Sequence, residues 1–106
     1  MELASTGEII ATRVLRLGGE TSGQEILVQI GKPCPFPDGK DYYCPYRITG
    51  LGESKVRYAA GIDAVQALQL VMEIIGADLC SRNRSCGGRL RWEGDEGGDL
   101  GFPSPV

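Results

Sequence analysis

Between residues 61 and 80 the chain reads GIDAVQALQLVMEIIGADLC, with apolar residues recurring at helical rather than strand spacing. At about 100° per residue, Val71, Ala64, Ile75, Leu68, Leu79, Met72 and Val65 fall within one arc of roughly 120°, which predicts a core face. Leu70, Ala67 and Ile74 form a second apolar arc, divided from the first mainly by Asp78, and Gln66, Gln69 and Glu73 make the polar stripe. Asp63 is placed to cap the first turn, and Gln66 three residues later completes a capping-box pattern. Gly76 costs about 1 kcal/mol against alanine inside a helix, but Leu79 returns to the core arc beyond it, so the helix is expected to reach about Cys80. One small sheet covers one helix face. The second arc therefore needs another cover, either the C-terminal tail or a partner chain.

Elsewhere the period is two. Residues 8–17 are rich in β-branched and aliphatic residues and read as a strand, followed by a turn at Gly18-Gly19-Glu20. Residues 24–31 alternate, with Ile26, Val28 and Ile30 on one side and Leu27 and Gln29 on the other. Three prolines and an Asp-Gly make 32–41 an ordered loop. Residues 42–49 resume extended structure with Tyr42, Cys44, Tyr46 and Ile48 on one face, and Pro45 implies an edge or a bulge. A turn at 50–53 leads into a short strand, 54–60, with Val56 and Tyr58 expected inward. After the helix, 81–88 reads as a loop and 89–93 as a last short strand. The order β-β-β-β-α-β is that of an α+β fold: an antiparallel β-meander of four to five strands with one long helix packed on one face. A single domain is expected over 1–106, its ordered core at about 7–93 and its tail, 94–106, docked through Leu100 and Phe102.

An apolar content of 42% and a charged content of 24% exclude a disordered chain. No uninterrupted apolar run approaches the roughly 18 residues of a membrane span, and MELASTGEII has no basic start followed by an apolar stretch. A cytoplasmic location is expected, without membrane association and with Cys34, Cys44, Cys80 and Cys86 as thiols. A net charge of −3 argues against a general nucleic-acid binder, although Arg82, Arg84, Arg89 and Arg91 lie close together. Acids at Glu93, Asp95, Glu96 and Asp99 follow directly, and mutual neutralisation is the expectation.

Candidate chemistry is sparse. There is no histidine, which removes Ser-His-Asp and Cys-His catalysis. Nine residues separate Cys34 from Cys44 and five separate Cys80 from Cys86, so the close pairs of a zinc site are missing, and no cofactor is expected. Asp38 and Asp41 flank a turn, and the glycine pairs match no phosphate loop. Tyr42, Tyr43, Tyr46, Tyr58, Arg47 and Arg57 could share sheet surface suited to base stacking, although core-edge tyrosines with wet hydroxyls account for them more simply.

Three segments, IGKPCPFPDGKDYYCPYRITGLG at 30–52, GIDAVQALQLVMEIIGADL at 61–79 and LRWEGDEGGDLGFP at 90–103, resemble a family of small bacterial proteins of unknown function. In that family a CPYRIxGLG segment precedes a DAxQALQL helix and the chain closes near GFP. The resemblance implies a bacterial source and a single soluble domain, and it transfers no activity.

The expectation is a non-enzymatic binding or protein-interaction module, engaging a protein partner or a second copy through the sheet face opposite the helix or through Leu70 and Ile74. Phe102 is the alternative, intramolecular cover for those two residues. One rival is a small-molecule or anion pocket bounded by the 32–41 loop, Tyr46, Arg47 and the tail, with Arg47 holding a carboxylate or phosphate. Another is nucleic-acid binding through the arginine cluster that includes Arg82 and Arg84.

Overall fold

The alternating segments pair as antiparallel strands. The computed structural model describes residues 1–18, 23–92 and 98–103. Its elements are β1 (Ile9–Leu17), β2 (Gln24–Gly31), β3 (Cys34–Pro35), β4 (Tyr42–Thr49), β5 (Arg57–Gly61), α1 (Ala64–Ser85) and β6 (Leu90–Arg91). β1, β2, β4 and β5 form the meander, and β6 returns after the helix to pair with β1. The two-residue β3, inside the expected loop, pairs with β4 beyond the end of β2. Ile30 faces Tyr46 but Cys34 faces Tyr43, so the register slips by one residue beside Pro45. A residue without an N–H is tolerated at such an irregularity.

Alternation sets the inner face. Leu15, Ile26, Val28, Ile30, Cys44, Tyr46 and Ile48 are all at most 5% exposed and form one core with the helix. β5 departs from the expected parity. Its register, Cys44 opposite Ala59, turns the small residues Ala59 and Gly61 inward, so Tyr58 lies on the outer face against Phe36 and Tyr43. Val56 is buried, but outside that core cluster.

Asp63 caps the helix as expected, its Oδ1 accepting from the Gln66 backbone N–H at 2.8 Å. The Gln66 side chain reaches one residue past the cap, accepting from Ile62 N–H at 2.7 Å. At the other end α1 continues to Ser85, so the first five residues of the expected 81–88 loop are helical. Arg82 pairs with Asp78 one turn earlier, the basic Arg82 and Arg84 suit a helix C-terminus, and Asn83 Oδ1 accepts from Leu90 N–H at 2.9 Å. The chain leaves the helix at Cys86, followed by Gly87 at φ +70°.

The helix is also rotated from its expected seat. Ala67, Val71, Ile75 and Leu79 are the buried residues, a single i, i+4 row whose centre lies about 40° from the middle of the expected arc. Val65, expected in the core, is 65% exposed. Asp78 sits beside the buried row because it has a partner there: the Tyr46 hydroxyl donates to its Oδ2 at 2.8 Å. By length and mean hydropathy α1 resembles a membrane span, contrary to the expectation from uninterrupted apolar runs, but its buried row belongs to the core beneath it.

α1 lies mainly over β4 and β5. Gly61 and Ala67 allow that approach, since a Cβ at Gly61 would press on the Ala67 backbone. The inner face of β1 and β2 therefore needs a second cover. Leu90 is fully buried there, Leu100 is 9% exposed, and Phe102 is packed at the margin. The tail crosses the helix at Gly76, where a Cβ would overlap the Pro103 carbonyl oxygen. The interior glycine is thus explained by a crossing chain rather than by a helix stop.

Candidate functional site

Two covers over one sheet face leave a gap between them. It is a groove of about 380 Å³ at the start of β1. Val28 and Ile30 form its floor, Leu68 and Met72 its helix wall, and Phe102 one end. Ile10, Ala11, Thr12 and Arg13 all border it. Ala11 and Arg13 lie opposite Ile30 and Val28 and so share the inner face, and the strand register is irregular between Ile9 and Ala11. β6 pairs with β1 only at Arg16 and Leu17, and among the described residues no strand pairs with the same edge from Ile9 to Leu15. Ile9 and Ile10 beside it are 37% and 46% exposed.

Arg13 is the one ionisable side chain among the described lining residues. Its guanidinium carbon lies 4.2 Å from the Trp92 ring centre and 4.7 Å from that of Phe102. Nη1 donates to the Gly101 carbonyl at 2.6 Å and more weakly to that of Leu100 at 3.4 Å. Arg13 thereby fastens the tail to β1 and brings Phe102 to the groove.

The residues singled out from sequence do not converge on one site. Phe102 reaches the Leu68–Met72 side of the helix and the Gly76 crossing, so it is not the cover of the Leu70/Ile74 arc. Leu70 is half-buried against the core and Ile74 is 40% exposed. Tyr46 and Arg47 cannot share a pocket wall, because adjacent strand residues face opposite sides: Tyr46 is 2% exposed in the core and Arg47 lies on the outer face. Arg47 Nε is buried without a hydrogen-bond partner among the described residues.

The arginine cluster is likewise dispersed. Arg82 Nε donates to Asp78 at 2.8 Å and its Nη1 to the Glu53 carbonyl at 3.0 Å, with Arg57 also bonded to the Glu53 carboxylate. Arg89 and Arg91 donate to the carbonyls of Cys86 and Gly88, while Arg84 stays exposed on the last helical turn. The expected neutralisation by acids after residue 92 falls mostly outside the described residues; Asp99, which is described, accepts from Gly101 N–H. Arg82 is neutralised by acids of the helix and of the β4–β5 connection instead. The hydrogen bond from Arg57 is the main cause of a lowered Glu53 pKa.

All four cysteines are free thiols, and among the described residues no three Cys, Asp or Glu side chains gather as a metal site. Burial, aided by the nearby Cys34, pushes the Cys44 thiol up to about 11. Burial and the hydrogen bond to Asp78 raise the Tyr46 hydroxyl above the ordinary tyrosine range. Asp38 caps its turn through Lys40 N–H at 3.0 Å. The groove residues Ile10, Thr12 and Arg13 were not singled out from sequence. Their only signal was an apolar pair, Ile9-Ile10, opening a strand whose second neighbour was not apparent.

No curated protein and no solved structure matches the chain. The family model described as a domain of unknown function, DUF6968, matches residues 11–104, which include Arg13, the floor of the groove, its helix wall and Phe102. The chain belongs to that family.

Proposed function

We propose that this chain is a non-enzymatic binding module whose site is the groove between the first half of β1 and α1. The observation that carries the reading is the groove itself. Its volume of about 380 Å³ lies within the range of ligand sites, its floor is apolar and its helix wall is apolar except for Gln69, with Arg13 at its border. No cysteine, serine or carboxylate stands among its described lining residues, and Thr12 has no base beside it there, which favours binding over chemistry. The proposal includes a cytoplasmic location and a bacterial source, supported respectively by the free thiols and by the sequence resemblance.

The test is titration of the protein with a solvatochromic dye that brightens in apolar surroundings. Saturable binding is expected, weakened at least tenfold by Met72→Trp, which fills the groove from the half-buried side of the helix. Ile74→Ser, on another face, should leave binding unchanged. Dye binding that is absent, or insensitive to Met72→Trp in a variant that still folds, would remove the groove from consideration.

A further inference from the structure

Resting on that reading, we infer that the ligand of the groove is an amphiphilic monocarboxylate, its linear apolar chain lying over Val28 and Ile30 and its carboxylate held by Arg13. The register sets the direction. Arg13 lies opposite Val28 and Ala11 opposite Ile30, so the arginine and the floor share the inner face whatever pairs with the edge of β1. The Arg13 guanidinium carbon is 4.7 Å from the centre of the Phe102 ring, which closes one end of the groove. The head group therefore belongs at the Phe102 end, and the chain runs from there past Ala11 and Ile30 toward Ile10.

What the arginine has left to offer defines the head group. Nη1 donates to the Gly101 and Leu100 carbonyls, and among the described residues Nε and Nη2 make no hydrogen bond. Those two N–H groups form one side of the guanidinium fork, which a carboxylate accepts with both oxygens. Arg13 is the one ionisable side chain among the described lining residues, so it matches a single negative charge and not a dianion. Apart from Thr12 and Gln69, the rest of that lining is apolar, which suits an unbranched hydrocarbon. A methylene takes up about as much room as a liquid water, ~30 Å³, so the groove of about 380 Å³ holds a chain of roughly ten to twelve carbons. Each methylene moved from water into such a lining is worth about three- to fourfold in affinity.

The full chain is titrated by calorimetry with hexanoate, octanoate and decanoate, and with decanol, decylammonium and decyl phosphate at the longest chain length. Affinity is expected to rise about tenfold with each two-carbon step. Decanoate should bind at least tenfold tighter than decanol or decylammonium, no more weakly than decyl phosphate, and at least tenfold more weakly to Met72→Trp. NMR of carboxyl-labelled decanoate supplies a readout of the head group. A carboxylate beside the guanidinium stays ionised from about pH 8 down to about 5.5, whereas one held in an apolar groove without a cation takes up a proton within that range. Decanol or decylammonium binding as tightly as decanoate, tighter binding of decyl phosphate, protonation of the bound carboxylate in that range, or full affinity in a folded Met72→Trp variant would each overturn the inference. If the dye binds the groove and decanoate does not displace it, the carboxylate fails and the binding reading stands. If neither binds, both fail.

Discussion

Replacing Tyr46 with phenylalanine removes one hydroxyl from the junction of sheet and helix and leaves the ring in place. The ring is 2% exposed, so its packing is retained. The hydroxyl donates to Asp78 Oδ2 at 2.8 Å while Oδ1 accepts from Arg82 Nε at 2.8 Å. A hydrogen bond to a charged group contributes roughly 1.5–3 kcal/mol. The Asp78 and Arg82 side chains are each 17% exposed, and Asp78 keeps Arg82 in the variant, so the lower end applies, at about 1.5 kcal/mol. Asp78→Ala strands a buried hydroxyl and half-frees Arg82, at a cost of about 2–3 kcal/mol. In that background Tyr46→Phe should cost nothing, since the hydroxyl has already lost its acceptor. Urea unfolding of the four chains, followed by circular dichroism with m-values compared, gives the coupling directly, expected at about 1–1.5 kcal/mol. A Tyr46→Phe loss below about 0.5 kcal/mol, or an equal loss in both backgrounds, would refute the view that this bond seats the helix.

Three further outcomes are expected. Gly76→Ala should gain about 1 kcal/mol of helix propensity yet destabilise the protein overall and expose the tail to limited proteolysis, because the new methyl overlaps the Pro103 carbonyl. A variant stabilised by about that amount with its tail protected would contradict the crossing. Cys44 and Tyr46 both have folded pKa values above their ordinary 9.0 and 10.0, so the folded state holds the proton more tightly and their stabilisation is full below those values. Unfolding free energy should therefore fall as pH rises from 9 toward 11, and Cys44→Ala should flatten that part of the curve, with Tyr46→Phe flattening it above 10. An unchanged slope in Cys44→Ala would count against burial as the cause. Arg13→Met removes the stacked cation and its bonds to the Leu100 and Gly101 carbonyls, so Trp92 fluorescence should shift and cleavage near residues 98–103 accelerate. Identical spectra and cleavage would show that the tail is held by Leu100 alone.

How much was legible depended on whether a residue's neighbours were close in sequence. The alternation of Ile26, Val28 and Ile30, the cap at Asp63 and the β-β-β-β-α-β order are local patterns, and each stands in the structure. Tyr58 is expected inward together with Val56, two residues before it, but its parity is set by the register of β5 on β4, which local sequence does not encode. The helix face was misjudged for a related reason. Asp78 looked like a divider between two apolar arcs, whereas its hydrogen bond to Tyr46, 32 residues away, makes the adjoining row the seated one. The extra turn to Ser85 was in principle readable from Asp78 and Arg82 at i, i+4, but Ser, Arg and Asn around it resembled a loop.

The site was least legible because it is a consequence of where the helix is held rather than of any motif. Small residues at Ala59, Gly61 and Ala67 draw the start of α1 onto β5, and the Tyr46–Asp78–Arg82 chain ties its later half to β4. A helix is about 10 Å across and strands lie about 4.8 Å apart, so a helix so placed covers about two strands and cannot also cover β1. The tail supplies the missing cover through Leu100 and Phe102, but Arg13 and the Gly76 crossing fix it toward the β6 end of β1. Among the described residues neither cover fills the space beside the first half of the strand, where Leu68, Met72 and Phe102 only border the groove. The apolar trench thus originates in where the helix and the tail are held. A change that moved the helix toward β1, such as larger residues at both Ala59 and Ala67, should close the trench and reduce dye binding even though neither residue borders it.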